Sequence, residues 1–177
     1  MDNRTKKNLF LPFSLSALII LIDQLTKAFI VKNWPTQGSF IADIFENDFL
    51  IICHVRNKAI AFSLGDNIPN QLRFPLFVLV PLVVIGLLVW YYLVTKEFSR
   101  VQRWALAGII GGGMGNIVDR IFRRDGVVDF ISVKFYGLFG MERWPTFNVA
   151  DASVVICSLL LLVTMLIPQK KSAAISS

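Results

Sequence analysis

The chain has one histidine, His54, two cysteines, Cys53 and Cys157, and charges on only 17% of its 177 residues. Each scarcity closes a class of chemistry. A single imidazole rules out an H-E-x-x-H zinc site and any site built on two histidines. A serine–histidine pair would need His54 with Ser63 in the same connection, but no nucleophile elbow or third orienting group accompanies them. His54 therefore reads as an interfacial strand residue. The cysteines make no disulfide framework, one falling in a loop and the other mid-span, and Cys53 has no base to activate it. No Gly-Lys-Ser/Thr follows the glycines at 108–115, which excludes a phosphate loop. The chain also has no internal repeat.

What is abundant is apolar and arranged in blocks. Hydrophobic residues make up 55% of the chain, the mean hydropathy is +0.62, and a soluble domain would carry roughly a quarter charged residues. The expected fold class is an all-α polytopic membrane protein forming one membrane domain over residues 1–177. Its four spans fall at about 13–32, 74–95, 103–121 and 150–167, joined by outer connections at about 33–72 and 122–149. Arg4, Lys6 and Lys7 precede the first apolar run, as in a cleavable leader. The following Asp-Gln-Leu-Thr-Lys (23–27) contains no small-x-small site, so a retained span is expected. Asp23 and Lys27, four apart on that helix, can pair. The second run, 74–94, has no charge, and Pro75 and Pro81 are tolerable inside it. In the third run Gly108–Gly112 and Gly111–Gly115 are G-x-x-x-G spacings, read as close helix packing.

Charge sets the orientation. The net charge of +6 does not collect on one face, which argues against nucleic acid. Basic residues instead cluster in the two tails and in the connection holding Lys96, Arg100 and Arg103, placing both termini in the cytoplasm. The first and third connections then lie outside. Trp34-Pro35 marks a membrane edge, and 49–55 and 59–64 read as short strands around Arg56-Asn57-Lys58, giving a small sheet on the outer membrane surface. By parity Asn57, Asn116, Asp119, Arg120, Asp129, Asn148 and Asp151 converge at one outer mouth.

Ionisable groups at membrane depth are expensive and mark function by default. Asn116, Asp119 and Arg120 share a face of the third helix, where an Asp119–Arg120 pair, or Arg120 with another carboxylate, would let that face survive burial. Asn148 stands near an N-cap position and Asp151 heads the fourth helix, where the macrodipole alone would favour a carboxylate. Asp129 follows the Asp125-Gly126 turn and could be an ordinary loop residue. If Asp129 and Asp151 meet in a dry mouth, however, they cannot both ionise and must share a proton. One can then activate water while the other protonates the reacting group.

Five blocks carry a family resemblance: Asp23-Gln-Leu-Thr-Lys27, Asn57 in Val-Arg-Asn-Lys-Ala-Ile-Ala-Phe, Gly115-Asn-Ile-Val-Asp-Arg120, Val128-Asp129-Phe130 and Phe147-Asn-Val-Ala-Asp151. In order they resemble the blocks of the lipoprotein signal peptidase (signal peptidase II) family. The resemblance implies an aspartyl endopeptidase of the bacterial inner membrane, with four helices and an extracytoplasmic β-cradle. It would cut prolipoprotein signal peptides just before the diacylglyceryl-modified cysteine. It makes Asp129 and Asp151 the catalytic dyad, Asn57, Asn116, Arg120 and Asn148 residues lining the site, and Asp23, Lys27 and Asp119 supporting residues. No metal or cofactor is implied; the partners are the lipid-modified substrate and membrane lipids, and the expected state is a monomer. Ala59 departs from the pattern, which has glycine two residues after Asn57. The stretch 134–144 is longer than the motifs require and is expected at the membrane surface. Two rival readings remain. A small proton-coupled transporter component would use intramembrane carboxylates as relays, spread through the depth and often repeated. A membrane scaffold would use Asp–Arg pairs as glue.

Overall fold

The structure, a computed structural model, describes residues 9–58, 68–123 and 125–166. Helix α1 is Phe13–Asn33, followed by strands β1 (Phe40–Asp43) and β2 (Leu50–Asn57). A short helix α2 (Asn70–Phe74) continues through a π-helical turn, Pro75–Leu79, into α3 (Val80–Val94). Then come α4 (Arg100–Phe122), β3 (Val127–Val133), a 3-10 turn at Leu138–Gly140, and α5 (Val149–Leu166). The π turn has a local cause. Proline has no N–H to give the preceding turn, and here the ladder widens, with Val80 N–H donating to Pro75 O.

Three helices are long and apolar enough to cross a membrane: Phe13–Asn33, Gln71–Val94 and Val149–Leu166. Helix α4 has the length, 23 residues, but its five glycines and Arg100, Arg103, Asp119 and Arg120 keep it outside that class. The four expected spans thus become three candidates and one polar, glycine-rich helix. That helix is the centre of the bundle: eleven of its residues are buried, against five in α1 and one each in α3 and α5. Its glycines make this possible. A Cβ on Gly111 would sit 2.7 Å from Ser16 Cα of α1, and one on Gly112 would strike the Ala150 carbonyl of α5. Bridging the same approach, Ser16 Oγ donates to Ala107 O at 2.6 Å. The outward faces of α1, α3 and α5 expose Leu, Val and Phe side chains.

Helix α4 starts earlier than the expected 103. Ser99 caps it in a reciprocal box, accepting from Gln102 N–H while Gln102 Oε1 accepts from Ser99 N–H at 2.9 Å. Arg100 and Arg103 therefore belong to the helix rather than to the preceding connection. Arg103 turns back, donating to Thr95 O at 3.1 Å and lying over the Tyr92 ring.

The three strands form one antiparallel sheet in the order β1-β2-β3. Strand β2 runs two residues past the expected 49–55 and includes Asn57, while 59–64 lies outside the described residues. The sheet joins the first and third connections, with Val55 opposite Asp129 and Asn57 opposite Val127. Val128 and Phe130 pack with Ile30, Trp34 and Val149, fixing the sheet to α1 and α5. Both cysteines are free, and Cys53 lies in β2 rather than in a loop. His54 is a strand residue but not an interfacial one: it is fully buried, its Nδ1 2.6 Å from Trp34 O.

Candidate active site

Two carboxylates meet over the carboxyl-terminal end of α4. Asp129 sits mid-strand in β3 and is 2% exposed, while Asp151 lies in the first turn of α5. Asn148 precedes that helix and caps it. Its Oδ1 accepts from Asp151 N–H at 2.9 Å, and Asp151 Oδ2 accepts from Asn148 N–H at 3.2 Å. The Asn148 amide is thereby oriented, and its Nδ2 donates to Asp129 Oδ1 at 2.7 Å, to Asn116 Oδ1 at 3.1 Å and to Val128 O at 3.3 Å. The remaining oxygens are held the same way. Asn57 Nδ2 donates to Asp129 Oδ2 at 3.1 Å, and Asn116 Nδ2 donates to Asp151 Oδ1 at 2.7 Å. Every one of these donors is neutral.

Neutral donors cannot offset burial in full. Burial pushes the Asp129 carboxyl up to about 7, and the Asp151 charge beside it pushes the same way. The amides of Asn57 and Asn148 pull it back only in part. Both carboxylates open on a cavity of about 410 Å³. Asn57, Asn116 and Arg120 line its polar side, and Ile117, Val154, Val155 and the segment from Trp144 to Phe147 line its apolar side. Asn57 and Arg120 also line an adjoining basic cavity with Lys58, Arg73 and Arg123.

The supporting residues expected from the sequence form a second polar cluster. Lys27 Nζ lies 2.8 Å from Asp23 Oδ2 and 3.1 Å from Asp119 Oδ2, all three side chains fully buried. The expected Asp119–Arg120 pair is absent: Asp119 pairs with Lys27 and with Arg123, the latter at 3.3 Å. The reason is helical geometry. Arg123 follows Asp119 by four and shares its side, whereas Arg120 is one residue on and turns to the cavity with Asn116. Thus Asn57, Asn116, Arg120, Asn148, Asp129 and Asp151 come together, and Asp23, Lys27 and Asp119 lie together beside them. Two members were missed. Gln24 donates to Asp23 at 3.1 Å and to Asp119 at 2.9 Å, and Arg123 closes the cluster. Both signals were readable, a polar residue inside an apolar run and an i,i+4 Asp–Arg spacing. The lining segment at Trp144–Phe147 carries no such signal. Among the described residues no group of three or more His, Cys, Asp or Glu could hold a metal ion.

The same chain pattern occurs in known proteins. The signal peptidase (SPase) II family model matches residues 15–167. The lipoprotein signal peptidase of Treponema pallidum (strain Nichols) is 42% identical over 168 residues, covering 95% of this chain and 89% of that protein. That of Borreliella afzelii (strain PKo) is 48% identical over 145 residues, covering 82% and 83%. A bacterial membrane enzyme solved by the in meso method at 1.9 Å shares the fold, with a TM-score of 0.72 and 24% identity over 88% of this chain and 92% of that one. These likenesses give no support to the transporter reading. The match over almost the whole length, with the carboxylates and asparagines gathered at one mouth, means that the chain belongs to the signal peptidase II family of membrane proteases.

Proposed function

We propose that this chain is an aspartyl endopeptidase that removes signal peptides from prolipoproteins, cutting before the diacylglyceryl-modified cysteine. Helix α4 also spans the membrane, third in chain order, shielded from lipid by α1, α3 and α5. The enzyme is a monomer in the bacterial inner membrane, with both termini cytoplasmic and the cavity facing outward. The observation that carries the reading is the pair Asp129 and Asp151 on one cavity, each carboxylate hydrogen-bonded by neutral amide donors. Such a pair can share a proton and pass it on, which a carboxylate locked to a lysine does less readily.

The chemistry follows from that sharing. With its affinity for protons raised by burial, Asp129 holds the shared proton, and Asp151 accepts one from a water lying between them. The hydroxide adds to the scissile carbonyl carbon as Asp129 gives its proton to the carbonyl oxygen, forming a neutral gem-diol. The C–N bond then breaks as Asp151 passes the water-derived proton to the leaving amine of the modified cysteine. A gem-diol hydroxyl returns its proton to Asp129, leaving a carboxylic acid on the signal peptide. Asn57 and Asn148 hold Asp129 in register, and Arg120 lines the wall where substrate backbone would pass. The apolar wall around Trp144 and Val155 suits the apolar residues of a signal peptide, with the lipid lying between helices.

The test is cleavage of a diacylglyceryl-modified prolipoprotein by purified protein, beside Asp129→Asn and Asp151→Asn. Both variants should fold and fail to cut. Full activity in either one, or an inert wild type on lipidated substrate, would sink the mechanism.

A further inference from the structure

The charged cluster beside the dyad is connected to it at three points. Asp23 Oδ1 accepts from the backbone N–H of Ala150 at 3.0 Å, one residue before Asp151. Asp119 Oδ2 accepts from the backbone N–H of Val128 at 3.1 Å, one residue before Asp129. Lys27 lies between those two carboxylates, and its third contact is to Asn116 Oδ1 at 3.0 Å. An ammonium has three hydrogens, and here it has three acceptors.

That third contact has a directional consequence. The side-chain amide of Asn116 can face Asp151 with either its N–H₂ or its oxygen. Lys27 occupies the oxygen, which turns Nδ2 toward Asp151 Oδ1. Asn148 Nδ2 also reaches Asn116 Oδ1, but its two hydrogens are divided among three acceptors. Lys27 is therefore the dedicated lock.

We propose that Lys27 is a positioning residue of the dyad, fixing the Asn116 amide as a donor to Asp151 while it holds Asp23 and Asp119 on the backbone just before each catalytic aspartate. The proposal rests on Asp129 and Asp151 being the catalytic pair. Lys27 touches neither and acts through Asn116.

A double-mutant cycle separates positioning from plain support of the fold, because coupled residues are non-additive. The kcat for diacylglyceryl-modified prolipoprotein is measured for wild type, Lys27→Met, Asn116→Leu and the double variant. Each rate is normalised to sites titrated with an uncleavable hydroxyl analogue of the scissile peptide. Lys27→Met should lower kcat per site about 10- to 100-fold with KM within about threefold, and should add less than about threefold in the Asn116→Leu background. An equal loss in both backgrounds, or no loss in either, overturns the proposal. If Lys27→Met does not fold, Asn116→Asp decides. It keeps an acceptor for Lys27 but offers Asp151 no N–H, so its kcat should fall as far as that of Asn116→Leu, and a wild-type kcat there is fatal. Retained cleavage in Asp129→Asn or Asp151→Asn would instead refute the dyad itself. An inactive dyad with an additive cycle refutes the positioning role alone.

Discussion

Asp23 and Asp119 inside the bundle and Asp129 and Asp151 at the mouth of the cavity are all carboxylates in a largely apolar fold, yet they are held by different means. The first two share the Lys27 ammonium, with Arg123 adding a second cation to Asp119. The second two are held by Asn57, Asn116 and Asn148, which bring hydrogen bonds but no charge. A cation beside a carboxylate fixes its charge and its place, and removing either partner leaves an uncompensated ion. An amide orients a carboxylate and leaves its proton free to move. On the proposed function, the type of partner, not the type of acid, separates the structural pair from the reactive one.

The comparison breaks first at the dyad. Asp129→Asn and Asp151→Asn should lower prolipoprotein cleavage by at least about 10³-fold, within the range expected of general acid–base groups. Thermal unfolding in detergent should change little, since asparagine keeps the shape and the hydrogen bonds to both residues come from neutral amides. Asp119→Ala should do the reverse to stability, leaving Lys27 with Asp23 alone, taking the carboxylate from Arg123 and costing about 3–5 kcal/mol. An Asp119→Ala protein that melts with the wild type would erase the distinction drawn here.

Smaller effects sharpen it. Gly112→Ala should destabilise by about 1–3 kcal/mol, because the added methyl meets the Ala150 carbonyl and Val154, and the backbone cannot yield as a side chain can. Gly86→Ala, with nothing within 4 Å of the new carbon, is the matched control and should be neutral or slightly stabilising.

The pH dependence tests the amide side of the comparison. Free of the fold, the Asp129 carboxyl releases its proton near 3.8, whereas in the fold it holds the proton up to about 7. Between those values the folded chain binds more protons, so this group makes stability fall as pH rises. Cleavage should likewise decline as pH rises through about 7, when the shared proton leaves. Asn57 opposes the shift, so Asn57→Leu should move that upper limb to higher pH. A limb that stays in place would show that Asn57 does not tune the dyad.

Much of this was legible in the sequence because it is local. Asp23 and Lys27 lie four apart on one helix, so their pairing needs only helical geometry. Asn148 and Asp151, three apart across a helix start, form a reciprocal cap by the same logic. The G-x-x-x-G spacings foretold close packing of α4. Strand β3 was less visible, because five of its seven residues are buried, Val127 to Phe130 in succession, and no period-two pattern survives. Of the two alternatives for Arg120, the pair with Asp119 gives way to the cavity it shares with Asp129 and Asp151, because direction around the helix, not proximity along it, decides contact.

The sequence by itself determined the apolar blocks and the identity of the acids and amides that reach one mouth. Those follow from residue-by-residue solvation and from the order of the blocks, which need no folded coordinates. Only the tertiary structure decided which donor meets which oxygen. A carboxylate becomes reactive or merely structural according to groups brought from other helices and strands, as Lys27 of α1 is brought to Asp119 of α4, and Asn57 of β2 to Asp129 of β3. Such contacts are set by how the elements pack, and no spacing along the chain encodes them.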